Sequence, residues 1–209
     1  MQSKIPDAGV PFTKYTIAAG QQFCNDNAYN TTSYSELKFL AKFDSSAIYT
    51  TIDPGRQNDI NKLYGFSDNN TTHHQFSARF GWRWSNNALR LFGYIYNNGL
   101  NDFKELGTVD LGKENVCAIQ VTSTAYHFLL NGKTDSLPRT STTIKAEGYK
   151  LYPYFGGYES APHTINIFIK ELKNWFNKIE KAEREKVENR IYFSRAAGWA
   201  VVAGAIINC

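Results

Sequence analysis

The chain has 209 residues and a formal net charge of +4 from 23 basic and 19 acidic side chains, which fits one domain with an appendage and excludes a multidomain assembly. At 42% hydrophobic and 15% aromatic it is not a disordered chain, and so small a charge imbalance gives no one-signed field of the kind that draws nucleic acid. These figures point to an aromatic-rich β domain.

The opening Met1-Gln2-Ser3-Lys4-Ile5-Pro6 has no apolar run of the length a signal peptide needs. We read it as part of a mature secreted or cell-surface chain whose export signal is absent here, the alternative being a cytosolic start at Met1. Residues 1–34 are taken as an N-terminal extension, 35–170 as a β-sandwich domain and 171–209 as a helical and apolar tail. From about residue 12 to 169, short alternating runs are broken by Gly, Asn, Asp and Pro, the pattern of many antiparallel strands. In chain order the expected strands are Leu37 to Phe43, Ala47 to Ile52, Phe76 to Trp84, Leu89 to Tyr96, Val116 to Thr122, Ala125 to Leu130, Lys150 to Phe155 and Thr164 to Lys170. Asn97-Asn98-Gly99 and Asn131-Gly132 supply residues that tolerate positive φ at strand ends. Eight such runs suit a sandwich.

Past Pro162 the character changes: Glu171 to Arg195 holds seven basic and five acidic residues in 25 positions. Leu172, Trp175, Phe176, Ile179, Ala182, Val187 and Ile191 share one half of a helical wheel, predicting one long amphipathic helix. At 1.5 Å per residue it would reach about 40 Å, longer than a sandwich of this size covers, so self-association into a homo-oligomer is the leading expectation, with Trp199 in the same assembly surface, and packing on the sandwich itself, Trp175, Phe176 and Ile179 capping an open end, is the next. The uncharged run 196–207 falls short of the roughly 20 apolar residues of a bilayer span, and contact of 196–207 with a membrane is the lesser alternative.

Alternation splits each strand into a core face and a second face. Core sets are Phe76, Ala78, Phe80, Trp82 and Trp84; Leu89, Leu91 and Ile95; Cys117, Ile119 and Val121; Leu151, Pro153 and Phe155; and Ile165, Ile167 and Ile169. The second faces then offer Arg79, Arg83, Arg90, Tyr94, Tyr96, Gln120, Tyr152 and Tyr154, which we take together as a candidate groove for a glycan or a cell-surface partner. Flat apolar rings suit the C–H faces of pyranoses, and planar donors and acceptors suit hydroxyls. Guanidinium groups add bidentate capture of uronate or sulfate. The competing reading is that Tyr and Arg merely form cross-strand pairs on a solvated sheet face.

The other candidate groups carry less. Cys24, Cys117 and Cys209 show no CxxC pairing; Cys117 reads as a small buried hydrophobe, with a Cys24 to Cys117 bridge as the alternative. Asn30, Asn69 and Asn70 fit the glycosylation acceptor pattern in a chain rich in Asn and Thr. His73-His74 reads as a loop pair rather than a chelate, because neighbouring strand residues face opposite ways. No cofactor is expected; calcium enters only through Asp68-Asn69-Asn70, an isolated run of oxygen ligands.

The succession Ala88-Leu89-Arg90-Leu91-Phe92-Gly93-Tyr94-Ile95-Tyr96, Leu106-Gly107-Thr108-Val109-Asp110-Leu111 and Ala125-Tyr126-His127-Phe128-Leu129-Leu130-Asn131-Gly132-Lys133 resembles the concanavalin A-like lectin/glucanase sandwich, including its laminin-G-like modules. Tyr152-Pro153-Tyr154-Phe155-Gly156-Gly157 and Ala161-Pro162-His163 look like that family's closing strand pair. The resemblance covers about residues 35–170 and implies a mainly β, antiparallel jelly-roll sandwich. Its function stays open among lectins, glycosidases, polysaccharide lyases and adhesion modules. Glucanases of this fold carry acidic residues as Glu-x-Asp-x-x-Glu, because two carboxylates must flank the scissile bond; that run is absent. The alginate-lyase-like branch uses Arg, Gln, His and Tyr, but its Gln-x-His is replaced by Gln120-Val121-Thr122, and His127 lies a strand away. The leading expectation is therefore non-catalytic binding of an extracellular glycan or surface partner, with assembly through the tail. The alternatives are a polysaccharide lyase and a structural subunit of a self-assembling coat or filament.

Overall fold

In a computed structural model the chain is described over residues 11–172. In chain order the strands are β1 (Thr13–Ile17), β2 (Thr31–Tyr34), β3 (Glu36–Phe43), β4 (Asn61–Ser67), β5 (Phe76–Ser85), β6 (Ala88–Asn97), β7 (Leu100–Val109), β8 (Asn115–Val121), β9 (Ala125–Leu130), β10 (Lys133–Pro138), β11 (Ala146–Leu151) and β12 (Ile165–Glu171). They form two six-stranded antiparallel sheets, sheet I in the order β1-β12-β3-β8-β9-β10 and sheet II in the order β2-β11-β4-β5-β6-β7.

The core lies between the sheets and is built largely from alternate residues of the strands. Phe39 and Phe43 of β3 and Ile165, Ile167 and Ile169 of β12 meet Phe80 and Trp82 of β5. Phe39 packs edge-on to Phe80 with ring centroids 5.5 Å apart, and Phe80 packs edge-on to Phe128 of β9 at 5.4 Å. Each fully buried ring of this kind contributes about 1.5–3 kcal/mol through the area it removes from water. Gly93 on β6 makes the central packing fit, since a Cβ there would sit 2.9 Å from the Phe128 ring.

Three hairpin turns place consecutive residues at positive φ: Asn98 and Gly99, Asn131 and Gly132, and the glycine-free pair Asn86 and Asn87. That left-handed geometry matches the twist of the flanking strands, and Asn and Gly tolerate it best.

The strands expected at 37–43, 76–84, 89–96, 116–122, 125–130 and 164–170 are present within one or two residues. Elsewhere the structure corrects the reading. Residues 13–34, expected to belong to an N-terminal extension, are part of the sandwich, because β1 pairs with β12 and β2 with β11. No strand forms at 47–52. A 3-10 turn at Ser45–Ala47, capped by Asp44, leads into a loop whose Ala47 and Tyr49 are buried while Ile48 and Ile52 are exposed. The Gln57 side chain satisfies this loop's backbone, accepting from Thr51 N–H at 2.9 Å and donating to the Tyr49 and Trp84 carbonyls. The strand expected at 150–155 runs instead over Ala146–Leu151, and Pro153, which has no N–H to give a ladder, lies beyond its end.

Cys24 and Cys117 are both free and buried, so the alternative bridge is not formed and Cys117 packs as a core hydrophobe. Leu172 is buried at the end of the described chain. The rest of the amphipathic-helix reading, through Trp175, Phe176, Ile179, Val187, Ile191 and Trp199, lies outside the described residues, as do Cys209 and the 196–207 run.

Candidate functional site

The outer face of sheet II is unlike an ordinary solvated face. Strand register brings its side chains into rows perpendicular to the strands. Gly65, Arg79, Tyr94 and Phe103 are successive partners across β4, β5, β6 and β7. One row away on one side run Ser67, Ser77, Tyr96 and Asn101; on the other run Lys62, Gly81, Phe92 and Glu105. Gly65 is required beside Arg79, because a Cβ there would lie 2.2 Å from the Ala78 carbonyl and 2.5 Å from Arg79 Cα.

Above these rows lies an open cavity of about 1100 Å³. Its walls come from the 23–29 segment, the 58–60 loop, His73-His74 on the β4–β5 loop, and the 152–158 segment. Ile60, Phe92 and Tyr94 form a small apolar cluster of their own beneath it, joined by Tyr96. Aromatic rings dominate the lining: the largely buried Tyr94 and the exposed Phe103 lie nearly parallel at 6.4 Å, and Tyr29 packs on Tyr149 at 5.2 Å. Phe103 is 50% exposed, Tyr29 73% and Tyr158 82%, far more than large rings usually show without a partner.

Two cations stand over the Tyr94 ring, Lys62 Nζ at 4.6 Å and Arg79 Cζ at 5.6 Å. Lys62 Nζ donates to the Ile60 carbonyl at 2.5 Å. Burial, and then the Arg79 charge, bring the Lys62 amine down to about 8, against a weaker pull upward from Asp59. Arg79 is 7% exposed and its Nε has no hydrogen-bond partner. Burial brings its guanidinium down to about 10, opposed by the surrounding Tyr94, Tyr96, Tyr149 and Tyr154 hydroxyls.

Beside Arg79 the His73 Nδ1 lies 2.8 Å from Tyr149 Oη, which also accepts the His73 backbone N–H at 3.0 Å. Burial, Arg79 and His74 lower the imidazole to about 4, so it is neutral at neutral pH. A neutral ring whose Nδ1 accepts the tyrosine proton carries its own proton on Nε2.

Of the eight residues expected to share a groove, Arg79, Tyr94, Tyr96, Tyr152 and Tyr154 line the cavity. Tyr152 sits at its edge, accepting from Asn30 at 2.7 Å and packing on Tyr15 and Tyr64, and Tyr154 donates to Gln22 Oε1 at 2.7 Å. Arg83 is on the same face but outside the lining, its guanidinium over Phe92 at 4.8 Å and donating to the Asn58 carbonyl. Arg90 is farther along that face, in a 2.7 Å ion pair with Glu105. Gln120 is on β8 of sheet I, bonded to Glu36, and does not face this cavity at all. Alternation separates inside from outside but not one sheet's outside from the other's. Strand alternation does not reveal Lys62, His73, Tyr149 or Phe103 as groove residues: Lys62 precedes a bulge that breaks the alternation of β4, and His73 sits in a loop, its ring set by Tyr149 and His74.

The Asp68 carboxylate of the calcium candidate is engaged by Arg139, Tyr126 and the Asn69 N–H. Among the described residues no three His, Cys, Asp or Glu side chains cluster as a metal site.

No known protein family matches the sequence, and no curated protein does. Solved structures similar to the described fold include alginate lyase AlyC3, at 10% identity and TM-score 0.51 over 78% of this chain and 74% of that one. A glycoside hydrolase family 16 endo-glucanase from Bacteroides ovatus is 9% identical, with TM-score 0.46 over 77% of this chain and 80% of the other. The carbohydrate-binding module CBM66 from Bacillus subtilis is 10% identical, with TM-score 0.39 over 77% and 92%. The likeness to the alginate lyase structure shows the fold, a two-sheet antiparallel jelly-roll β-sandwich, consistent with the concanavalin A-like resemblance.

Proposed function

We propose that the outer face of sheet II binds a glycan chain without cleaving it, as part of a secreted or cell-surface module. The observation that carries this reading is the row structure of the face: Tyr94 and Phe103 in near-parallel stack, Tyr96 and Asn101 beside them, all fixed on rigid strands under an open cavity. Rings held by strand backbone lose little freedom when a sugar lies on them, and Asn side chains present both donors and acceptors. A glycoside hydrolase needs two carboxylates across the scissile bond, and the cavity lining includes one, Asp59.

A lyase is the second reading, favoured by the neutral His73 hydrogen-bonded to Tyr149 near Arg79. Assembly of copies through the 173–209 tail is a further part of the reading and rests on sequence pattern; a concentration-dependent mass of the full chain in light scattering would support it, and a constant monomer mass would remove it.

The test of binding is calorimetry of the full chain against alginate, polygalacturonate, dextran sulfate, dextran and mixed-linkage glucan, with release of unsaturated uronate followed by absorbance. Phe103→Ala, at an exposed ring, should weaken binding about tenfold, equivalent to 1.4 kcal/mol. Binding with no unsaturated product supports the non-catalytic reading, product formation replaces it with the lyase, and no binding to any polymer contradicts both.

A further inference from the structure

The described part of the chain has five arginines, and four are accounted for. Arg90, Arg139 and Arg56 face Glu105, Asp68 and Asp53, and Arg83 donates to the Asn58 carbonyl. Arg79 alone has neither an ion pair nor a hydrogen bond among the described residues, although it is the one inside the cavity. An ionised group taken out of water with no counter-charge is costly to the fold, and proteins otherwise pair it or coordinate it. Lys62, the second cation over the same Tyr94 ring, adds to that cost, since neither of the two makes an ion pair.

Around Arg79 the fold supplies tyrosine hydroxyls and ring faces, and Gly65 supplies no side chain at all. Such surroundings keep the guanidinium in place without neutralising it. The planar fork of Arg matches carboxylate and sulfate bidentately, and an adjacent ammonium adds a point charge from a second direction.

We propose that Arg79 and Lys62 form an anion subsite at the centre of the groove, and that its ligand is an acidic glycan carrying carboxylate or sulfate. This rests on the glycan-binding reading for the glycan and on the unpaired Arg79 for the acid. The anion seats against Arg79 while its ring lies along Tyr94 and Phe103, the next two positions of the same row. The subsite sets specificity, and the aromatic row supplies sugar-face contact shared by neutral and acidic polymers.

The test compares the full chain with Arg79→Met and Lys62→Gln against alginate and polygalacturonate (carboxylate), dextran sulfate (sulfate) and dextran (neutral). The expected result is binding to one acidic class, at least tenfold weaker in Arg79→Met and weakened by added salt, with dextran binding no better to wild type than to the variant. The same substitution should leave Tm unchanged or raise it, because it removes an uncompensated buried charge; a Tm lowered by more than a few degrees, with affinity unchanged, would assign Arg79 a structural role and overturn the subsite. Equal affinity for dextran and the acidic polymers also overturns it while leaving glycan binding intact. If no polymer binds, titration of Lys62 Nζ by NMR with inorganic sulfate and with glucuronate decides: an upward shift in its pKa that disappears in Arg79→Met supports the subsite without the glycan reading, and no shift contradicts it.

Discussion

Arg139 Nε stands 2.7 Å from an Asp68 oxygen with both side chains fully enclosed, and Tyr126 Oη donates to the same oxygen at 2.6 Å. Arg139 follows β10 of sheet I and Asp68 follows β4 of sheet II, so this pair joins the two sheets at one end of the sandwich. Burial works to raise the Asp68 carboxyl, but bonds from Arg139, Tyr126 and the Asn69 N–H outweigh it and hold the group below its ordinary value. Asp68 also accepts from Thr143 and the Glu147 N–H, anchoring the loop that leads into β11.

Removing one partner leaves the other charge buried and alone. Asp68→Asn should therefore cost about 3–5 kcal/mol of unfolding free energy in urea, and a loss below about 1 kcal/mol, the level of exposed pairs, would contradict the enclosed geometry. Because the folded pKa of Asp68 is depressed, its contribution is present above the unfolded value of 3.8 and is lost as pH falls through the folded value. Acid unfolding of Asp68→Asn should be correspondingly less steep than that of wild type.

His73 contributes with the same sense but in a different window. Its folded pKa of about 4 lies below the ordinary 6.5, so the folded state binds fewer protons between those values and stability falls as pH drops from 6.5 to about 4. An NMR titration should find its ring neutral down to about pH 4. A midpoint near 6.5 would mean that the Arg79, His74 and Tyr149 surroundings do not hold in solution.

Lys62 sets the pH limit of acidic-ligand binding. With the amine at about 8 in the free protein, affinity should be full below that pH and decline above it, and the break should move upward when ligand occupies the site. Lys62→Gln should bind more weakly throughout and show no break near pH 8. A break retained in that variant would assign it to another group.

Gly93→Ala serves as a control on the opposite face of the sheet. The added Cβ would press on Phe128 at 2.9 Å, and overpacking of this kind costs about 1–3 kcal/mol. Stability should fall by that amount while glycan affinity is kept. A parallel loss of affinity would mean that the groove floor is coupled to the core packing beneath it.

Much of this architecture is legible in the chain itself, and the illegible parts have physical causes. Strands β3, β5, β6, β8, β9 and β12 alternate cleanly because one face of each is core, so Phe80 and Trp82 appear inside and Arg79 and Tyr94 outside. Strand β4 is hidden by its bulge: Leu63, Tyr64 and Phe66 are all buried, and the period of two disappears along with the position of Lys62. Strand β10 is an edge strand of mostly polar residues, Lys133–Pro138, with no apolar stripe to reveal it. The alternation at 47–52 is real but comes from a loop packed by Gln57, not from a ladder. Gln120 was grouped with Arg79 because both point away from the core, and only sheet order shows that they point in opposite directions. The interest of Arg79 is likewise invisible in sequence, since it depends on which of the five described arginines finds neither a carboxylate nor a hydrogen-bond acceptor, Arg83 at least reaching the Asn58 carbonyl.

The most direct measurement is an NMR titration of the full chain with oligosaccharides cut from whichever polymer binds in calorimetry, following the aromatic and side-chain signals of both sheets. The largest shifts are expected at Tyr94, Tyr96, Phe103 and Arg79, with those of Gln120 and His127 on sheet I unmoved. Shifts concentrated on Gln120 and His127, with the sheet II row silent, would contradict glycan binding on sheet II.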